Sequence, residues 1–330
     1  MSGVTQNGRP WLSIVTVNWN SGDLLRACVE SVVQSGPSLP CEFIIVDNAS
    51  TDDSLPALEH PTVVAWSRWV PIRLIKNAKN VGFARAVNQA IRQSQAPMLF
   101  LLNPDTLVRP GAIDALAKTL TSDDRIGACA PRLLNPDGSV QPSVWPNPPT
   151  PLYIITEGLQ LYRLLPRKLR GEWLLGRHWD HARRRRVRSC SGAAFMVKRA
   201  LIADIGDLDE RFEMYGEDAE WCFRMIRRGW WLVFEPAAEV IHYGGGSAEK
   251  RWAPDERRLR EVAAHIGFQQ ECLSPAHVMA NTLSYALVLE LLRAWRRINR
   301  HPIGTLDAVI ALQWEAFRQA VRAVRGLKPR

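Results

Sequence analysis

The chain has 330 residues, 46% of them hydrophobic, and a formal net charge of +9, which fits a globular protein with one extended domain, or one domain and a tail. The charge is uneven: residues 1–150 hold 12 basic and 12 acidic side chains, residues 151–330 hold 30 and 21, so an anionic partner is expected on the second half only. Six scattered cysteines without a C-x-x-C pair exclude a metal knuckle and a disulfide framework, and no apolar stretch reaches the roughly 18–20 residues of a membrane span.

Residues 1–10 are polar, lack an apolar signal core and read as a flexible N-terminus. With the cysteine usage this gives a reducing, cytoplasmic location as the expectation. Leu12–Val17 is β-branched and predicts a strand. Asp23–Gln34 has helical spacing, through Leu24, Leu25, Cys28, Val29 and Val32. Glu42–Val46 predicts a second strand ending at Asp47, and Ile72–Ile75 a short third. A helix over Gly82–Gln93 follows, then a fourth strand, Met98–Leu102, and a helix over Pro110–Leu120 with proline in its first turn. This rhythm implies an α/β fold, a mostly parallel sheet with helices on both faces.

Residues 126–150 read as irregular strand and turn, and 151–188 as a basic insertion ending in Arg183–Arg186 and Arg188. A strand at Ala193–Val197 and a helix over Glu217–Arg228, closed by Gly229, resume the pattern. Trp231–Phe234 and Glu239–Ile241 read as two short strands. From about Ala253 onward the chain reads as a basic helical extension.

Several strand and helix ends carry chemistry. In open α/β sheets ligands bind at the rim formed by the strand C-termini. Met98–Leu102 delivers Asn103-Pro104-Asp105 to that rim; the tripeptide recurs at Asn135-Pro136-Asp137, where Gly138 marks a turn. Asp47 sits at another strand end, placed to meet a nucleotide or to form an Asx-turn. Asn80-Val-Gly82 opens a helix whose N-terminus favours anions, without being a G-x-G-x-x-G turn. Asn88 lies on an apolar helix stripe and needs a partner, a neighbouring loop before a ligand. By helical spacing Asp218 tips inward as a general-base candidate, whereas Glu217 shares a face with Arg224 and Arg228. His242 follows a strand, as a structural histidine or as a ligand to a metal or phosphate.

In chain order Ile14-Val-Thr-Val-Asn18, Val46-Asp-Asn-Ala-Ser-Thr-Asp52, Asn80-Val-Gly-Phe-Ala84 with Asn88, and Leu101-Leu-Asn-Pro-Asp105 are followed by Ser191-Gly-Ala-Ala-Phe-Met196, Tyr215-Gly-Glu-Asp-Ala-Glu-Trp-Cys-Phe-Arg224 and His242-Tyr-Gly-Gly-Gly-Ser247. This set resembles glycosyltransferase family 2, of GT-A fold, and its bacterial rhamnosyltransferase branch. The resemblance covers residues 11–250 and implies a catalytic domain there: a nucleotide-binding half at 11–125 and an acceptor-binding half at 126–250, with 251–330 as the extension. It also implies that Asp47, Asn80, Gly82, Asn103 and Asp105 bind the nucleotide sugar. Asp105 would hold Mg²⁺ or Mn²⁺, His242 would support the metal or the diphosphate, and Asp218 would be the catalytic base. Asn103 departs from the family's Asp-x-Asp, which leaves His242 to supply a second ligand.

The implied reaction is an inverting transfer of a sugar, L-rhamnose from a thymidine diphosphate donor, to a saccharide hydroxyl in cell-envelope polysaccharide synthesis. A lipid-diphosphate-linked acceptor would account for the basic second half, and so would the anionic inner face of a membrane, where Arg293, Arg296, Arg297 and Arg300 follow an apolar run. The rival readings are an inactive nucleotide-sugar-binding homologue, a glycoside hydrolase and a nucleic-acid-binding protein. Rim carboxylates would repel a nucleic-acid backbone, so no nucleic-acid partner is expected.

Overall fold

The computed structural model describes residues 10–67, 70–212, 214–244 and 251–326, so the expected flexible N-terminus lies outside the described residues except for Pro10, as do residues 245–247 of the glycine-rich motif. The first elements are β1 (Leu12–Asn18), α1 (Asp23–Gln34), β2 (Cys41–Asp47), α2 (Pro61–Trp66) and β3 (Ile72–Lys76). Next come α3 (Phe83–Gln93), β4 (Met98–Leu102), β5 (Thr106–Val108), α4 (Ala112–Thr121) and β6 (Ile126–Leu134). After α5 (Pro151–Gly158) and α6 (Arg167–Trp173) the chain forms β7 (Arg185–Val187), β8 (Ala194–Lys198), α7 (Arg199–Ile205), α8 (Glu217–Arg227) and β9 (Trp231–His242). Three helices follow: α9 (Pro254–Cys272), α10 (Pro275–Ile298) and α11 (Leu306–Val324).

The strands form one sheet in the order β3-β2-β1-β4-β8-β6-β9-β5, with β7 also on β9. β3, β2, β1 and β4 are parallel. β8 runs antiparallel to β4 and β6, and β6 is parallel to β9. The sheet expected to be mostly parallel is thus parallel in its first four strands and mixed beyond, because β8 enters from the rim at which β4 leaves.

The apolar runs of β1, β2 and β4 are buried on both faces, which is why they lack polar alternation. Leu12, Ile14, Phe43, Ile45, Phe100 and Leu102 join α1 and α4 in one core cluster. The alternate residues face the other way, where α3 lies on β1 and β2. β1 and β2 therefore carry helices on both faces, and their C-termini are left as a rim.

The helices α2 and α7 and the strand β7 have no counterpart in the sequence reading, and two strands depart from it for identifiable reasons. β5 has three residues, too few for a periodicity to register, and exists because β9 pairs with it. The two strands expected between Trp231 and Ile241 are one twelve-residue strand. Its register against β6 slips between Pro131 and Arg132, where the partners jump from Glu235 to Glu239. Pro236 lies in that bulge, where a residue without an N–H costs no ladder bond.

By internal contacts the chain divides into two units, Met1–Trp145 with Asp180–Lys250, and Pro146–Trp179 with Arg251–Arg330. The first holds the sheet. In the second, α5 lies so close to α10 that a Cβ on Gly158 would collide with the Val288 side chain. Among the described residues no helix is long and apolar enough to cross a membrane.

Candidate active site

The rim begins where β1 and β2 end in register, Asn18 opposite Asp47. Asn18 Nδ2 donates to Asp47 Oδ1 at 2.8 Å, and the Ser50 N–H donates to Asp47 Oδ2 at 3.2 Å. Both oxygens of this buried carboxylate thus organise the loop that follows it, an Asx-type turn. Asp52 adds a brace, its Oδ2 accepting from the Gly22 N–H at 2.8 Å.

The next loop is sewn to the same place. Asn48 Nδ2 donates to the Gly82 carbonyl at 3.2 Å, and Asn80 Oδ1 accepts from the Gly82 N–H at 3.0 Å. Gly82 precedes α3 with φ +90°, a conformation that favours glycine. Asn88, deeper in α3, finds the loop partner its position demanded. It donates to the Leu208 carbonyl at 2.9 Å and accepts from the Leu208 N–H at 3.0 Å.

At the end of β4 the Asn103 N–H donates to the Ala193 carbonyl at 2.8 Å, and Thr106 Oγ1 closes the Asn-Pro-Asp turn on the Asn103 carbonyl at 2.6 Å. β5 then pairs with the end of β9, Thr106 opposite His242. That pairing brings together two residues 137 positions apart in sequence: His242 Nε2 lies 3.5 Å from Asp105 Oδ1. His242 Nδ1 faces Gln141 Oε1 at 2.7 Å. Among the described residues no cluster of three or more His, Cys, Asp or Glu side chains is placed to cage a metal. One buried carboxylate and one imidazole nitrogen still fit Mg²⁺ or Mn²⁺, which typically take few protein ligands and complete their shell with phosphate oxygens and water.

Asp218 stands in the first turn of α8. Its Oδ2 accepts from the Gly192 N–H at 3.0 Å and its Oδ1 from the Ala219 N–H at 2.7 Å. Burial raises its pKa, and the two N–H groups oppose the rise. Glu217 departs from the sequence reading. It is 7% exposed, away from the cations expected beside it, and its Oε2 has no hydrogen-bond partner among the described residues. Burial, and then the neighbouring Asp218 charge, push its carboxyl up to about 8. Glu220 pairs with Arg224 instead, at 2.6 Å.

One chain of contacts therefore links Asp218 through Gly192 and Ala193 to Asn103, and on to Asp105 and His242. Asp47, Asn80 and Gly82 form a second group on the β2 side of the same rim. Sequence reasoning passed over Gln141 and the burial of Glu217. Gln141 had no motif to announce it, and the helical wheel of α8 carries no information about loops that cover its first turn.

A sequence model described as Glycosyl transferase family 2 matches residues 13–205. N-acetylglucosaminyl-diphospho-decaprenol L-rhamnosyltransferase of Mycobacterium tuberculosis is 31% identical over 245 residues, 70% of this chain and 76% of that protein. O-antigen biosynthesis protein RfbC of Myxococcus xanthus is 26% identical over 262 residues, 78% of this chain and 19% of that protein. Among solved structures, mannosyltransferase PcManGT from Pyrobaculum calidifontis in complex with GDP-Man and Mn²⁺ aligns with a TM-score of 0.55 at 15% identity, over 97% of this chain and 88% of that one. The last likeness shows a shared fold, the GT-A architecture.

Proposed function

The chain belongs to glycosyl transferase family 2 and is a glycosyltransferase, and on that premise we propose that it transfers L-rhamnose from a thymidine diphosphate donor to a hydroxyl of a lipid-diphosphate-linked saccharide in cell-envelope polysaccharide synthesis. The sugar and the acceptor rest on the mycobacterial relative, whose name specifies rhamnose and a diphospho-decaprenol acceptor; the thymidine diphosphate rests on the motif resemblance alone. The reaction is an inverting single displacement. The acceptor oxygen forms a bond to the anomeric carbon while the bond from that carbon to the phosphate oxygen breaks, the nucleoside diphosphate leaving with the electron pair.

The observation that carries the reading is Asp218, fixed by the Gly192 N–H at 3.0 Å one residue from the Ala193 carbonyl that holds Asn103. Asp218 takes the acceptor's hydroxyl proton on a carboxylate oxygen. Asp47 and the α3 start at Asn80 and Gly82 bind the nucleoside and its phosphates, the helix N-terminus favouring the negative charge. Asn103 orients the donor beside Asp105. Mg²⁺ or Mn²⁺ held by Asp105 and His242 would supply positive charge that stabilises the departing diphosphate.

Thermal shift with a panel of nucleotide sugars, followed by a transfer assay, tests this. Wild type should be stabilised most by thymidine diphosphate rhamnose. Asp218→Asn should keep that shift while transfer falls about 10²–10⁴-fold, the usual contribution of a general base. Turnover near wild type in the variant would remove Asp218 as the base. Donor binding without transfer by wild type would favour the inactive homologue.

A further inference from the structure

The second Asn-Pro-Asp segment forms a tight hairpin turn after β6. The Asn135 N–H bonds to the Ser139 carbonyl at 2.8 Å and the Gly138 N–H to the Asn135 carbonyl at 2.9 Å. The returning chain is tied back to β6 by the Gln141 N–H on the Leu133 carbonyl at 2.9 Å. This puts Gln141 beside the end of β9, where its amide makes three contacts. Oε1 meets His242 Nδ1 at 2.7 Å, and Nε2 donates to the His242 carbonyl at 3.2 Å and to Asn135 Oδ1 at 3.0 Å.

The polarity of these contacts is fixed at both ends. A backbone carbonyl only accepts, so the Gln141 group facing the His242 carbonyl is the NH₂. Its oxygen therefore faces Nδ1, and Nδ1 must carry a proton. At the far end Asp137 Oδ1 accepts from Ser139 Oγ at 2.6 Å. Two Ser139 hydrogen bonds, from its hydroxyl and its N–H, keep the Asp137 carboxyl below its ordinary pKa, an acceptor at neutral pH. Ser139 Oγ, having donated to Asp137, accepts from Asn135 Nδ2 at 2.9 Å, which turns Asn135 Oδ1 toward Gln141. Every link runs in one direction from His242 to Asp137. In a neutral imidazole with its proton on Nδ1, Nε2 is a lone pair, and it faces Asp105 Oδ1 at 3.5 Å. Two electron-pair donors facing each other at that distance present a place for a cation.

We propose that Gln141, anchored by the Asn135-Pro136-Asp137 turn through Ser139, is a positioning residue that fixes His242 in its Nδ1–H tautomer and aims the Nε2 lone pair at the Asp105 carboxylate. The two Asn-Pro-Asp copies are then one device: the first presents the carboxylate, and the second sets the imidazole that completes it. The cation-binding consequence rests on the metal reading above; the tautomer does not. A hydrogen-bonded partner on the second nitrogen of a ligating histidine commonly changes metal affinity about 10–100-fold when removed.

Nitrogen NMR of the metal-free, histidine-labelled full chain tests the tautomer, with His242 assigned by its loss in His242→Asn. The expected wild-type spectrum has a protonated Nδ1 and an unprotonated Nε2. Gln141→Leu should give a mixture of tautomers. Mn²⁺ affinity by electron paramagnetic resonance, with thymidine diphosphate present, should fall about tenfold or more in Gln141→Leu. An Nε2–H tautomer in wild type, or an unchanged tautomer and Mn²⁺ affinity in Gln141→Leu, overturns the proposal. If wild type binds no Mn²⁺ while its Nδ1–H tautomer depends on Gln141, the positioning role holds and the metal reading falls.

Discussion

At the start of α8 two adjacent carboxyl groups sit where burial disfavours charge. Asp218 has two N–H donors to stabilise its ionised form, while the outer oxygen of Glu217 has no partner among the described residues. Asp218 therefore ionises first, and burial together with that neighbouring charge raises Glu217 to about 8. At neutral pH Glu217 keeps its proton and, as a neutral neighbour, sets no charge against Asp218. The sign of the stability effect follows. Below the ordinary value of 4.5 Glu217 is neutral in folded and unfolded chains alike. Between 4.5 and about 8 the folded chain keeps a proton that the unfolded chain releases, so stability falls as pH rises through that window and levels off above it. Glu217→Gln should remove this slope and be the more stable protein at pH 8.5, on the order of a few kcal/mol relative to its standing at pH 5. Urea unfolding at both pH values checks it; parallel pH slopes for the two proteins would rule it out. Helical spacing turned Asp218 inward as a base candidate but assigned Glu217 to the face of Arg224 and Arg228. Burial in a helix's first turn is decided by what covers it, here a matter of tertiary structure.

At the scale of elements, legibility followed the source of the ordering. β1, β2 and β4 were readable because strands buried on both faces are mostly apolar, the buried Ser13 and Glu42 being paired with each other, and α1 matched its predicted bounds because its buried residues recur at helical spacing. β5 was not, because three residues have no period and its order comes from β9, more than 130 residues later in the chain. The Asp105–His242 encounter is a product of that same pairing, so the ligand pair could be named from a resemblance but its contact could not be derived. Asn88 shows the intermediate case. An amide on an apolar stripe announces that a partner exists without saying which, and the structure supplies the Leu208 backbone. Asn88→Ala would leave both the N–H and the carbonyl of a buried residue unpaired, at about 1–3 kcal/mol for each orphaned group. A drop in urea midpoint matching about 2 kcal/mol or more is expected, and a midpoint within error of wild type would mean that another group or water takes over the pairing.

For the molecule as a whole, the uneven charge noted in the sequence resolves onto one unit. Residues 146–179 and 251–330 carry 18 basic and 9 acidic side chains, while the rest of the chain carries 24 of each, so the entire +9 belongs to the helical unit. The same unit holds an apolar stripe with little cover: Leu287, Leu291, Trp295 and Ile298 follow helical spacing along α10 and are 51–80% exposed. Leu164 and Leu169, also exposed, stand among Arg163, Arg167, Lys168 and Arg170. An apolar stripe edged by arginines suits an anionic bilayer, where each basic residue near the surface contributes about 1 kcal/mol and each buried Leu or Trp adds about 1.5–3. A chain cut at residue 250 would divide this unit, which draws on 146–179 as well, so point substitutions in the full protein are the cleaner probe. The full chain should co-sediment with vesicles containing phosphatidylglycerol, weakly with neutral phosphatidylcholine, and less as salt rises. Leu291→Glu with Trp295→Glu should reduce binding to the anionic vesicles at least tenfold without changing donor-induced thermal shift, since both substitutions lie on α10 and none of the rim residues does. Equal recovery of wild type and double variant would place the attraction on the arginines alone, and negligible binding by wild type would leave the stripe a solvated helix face.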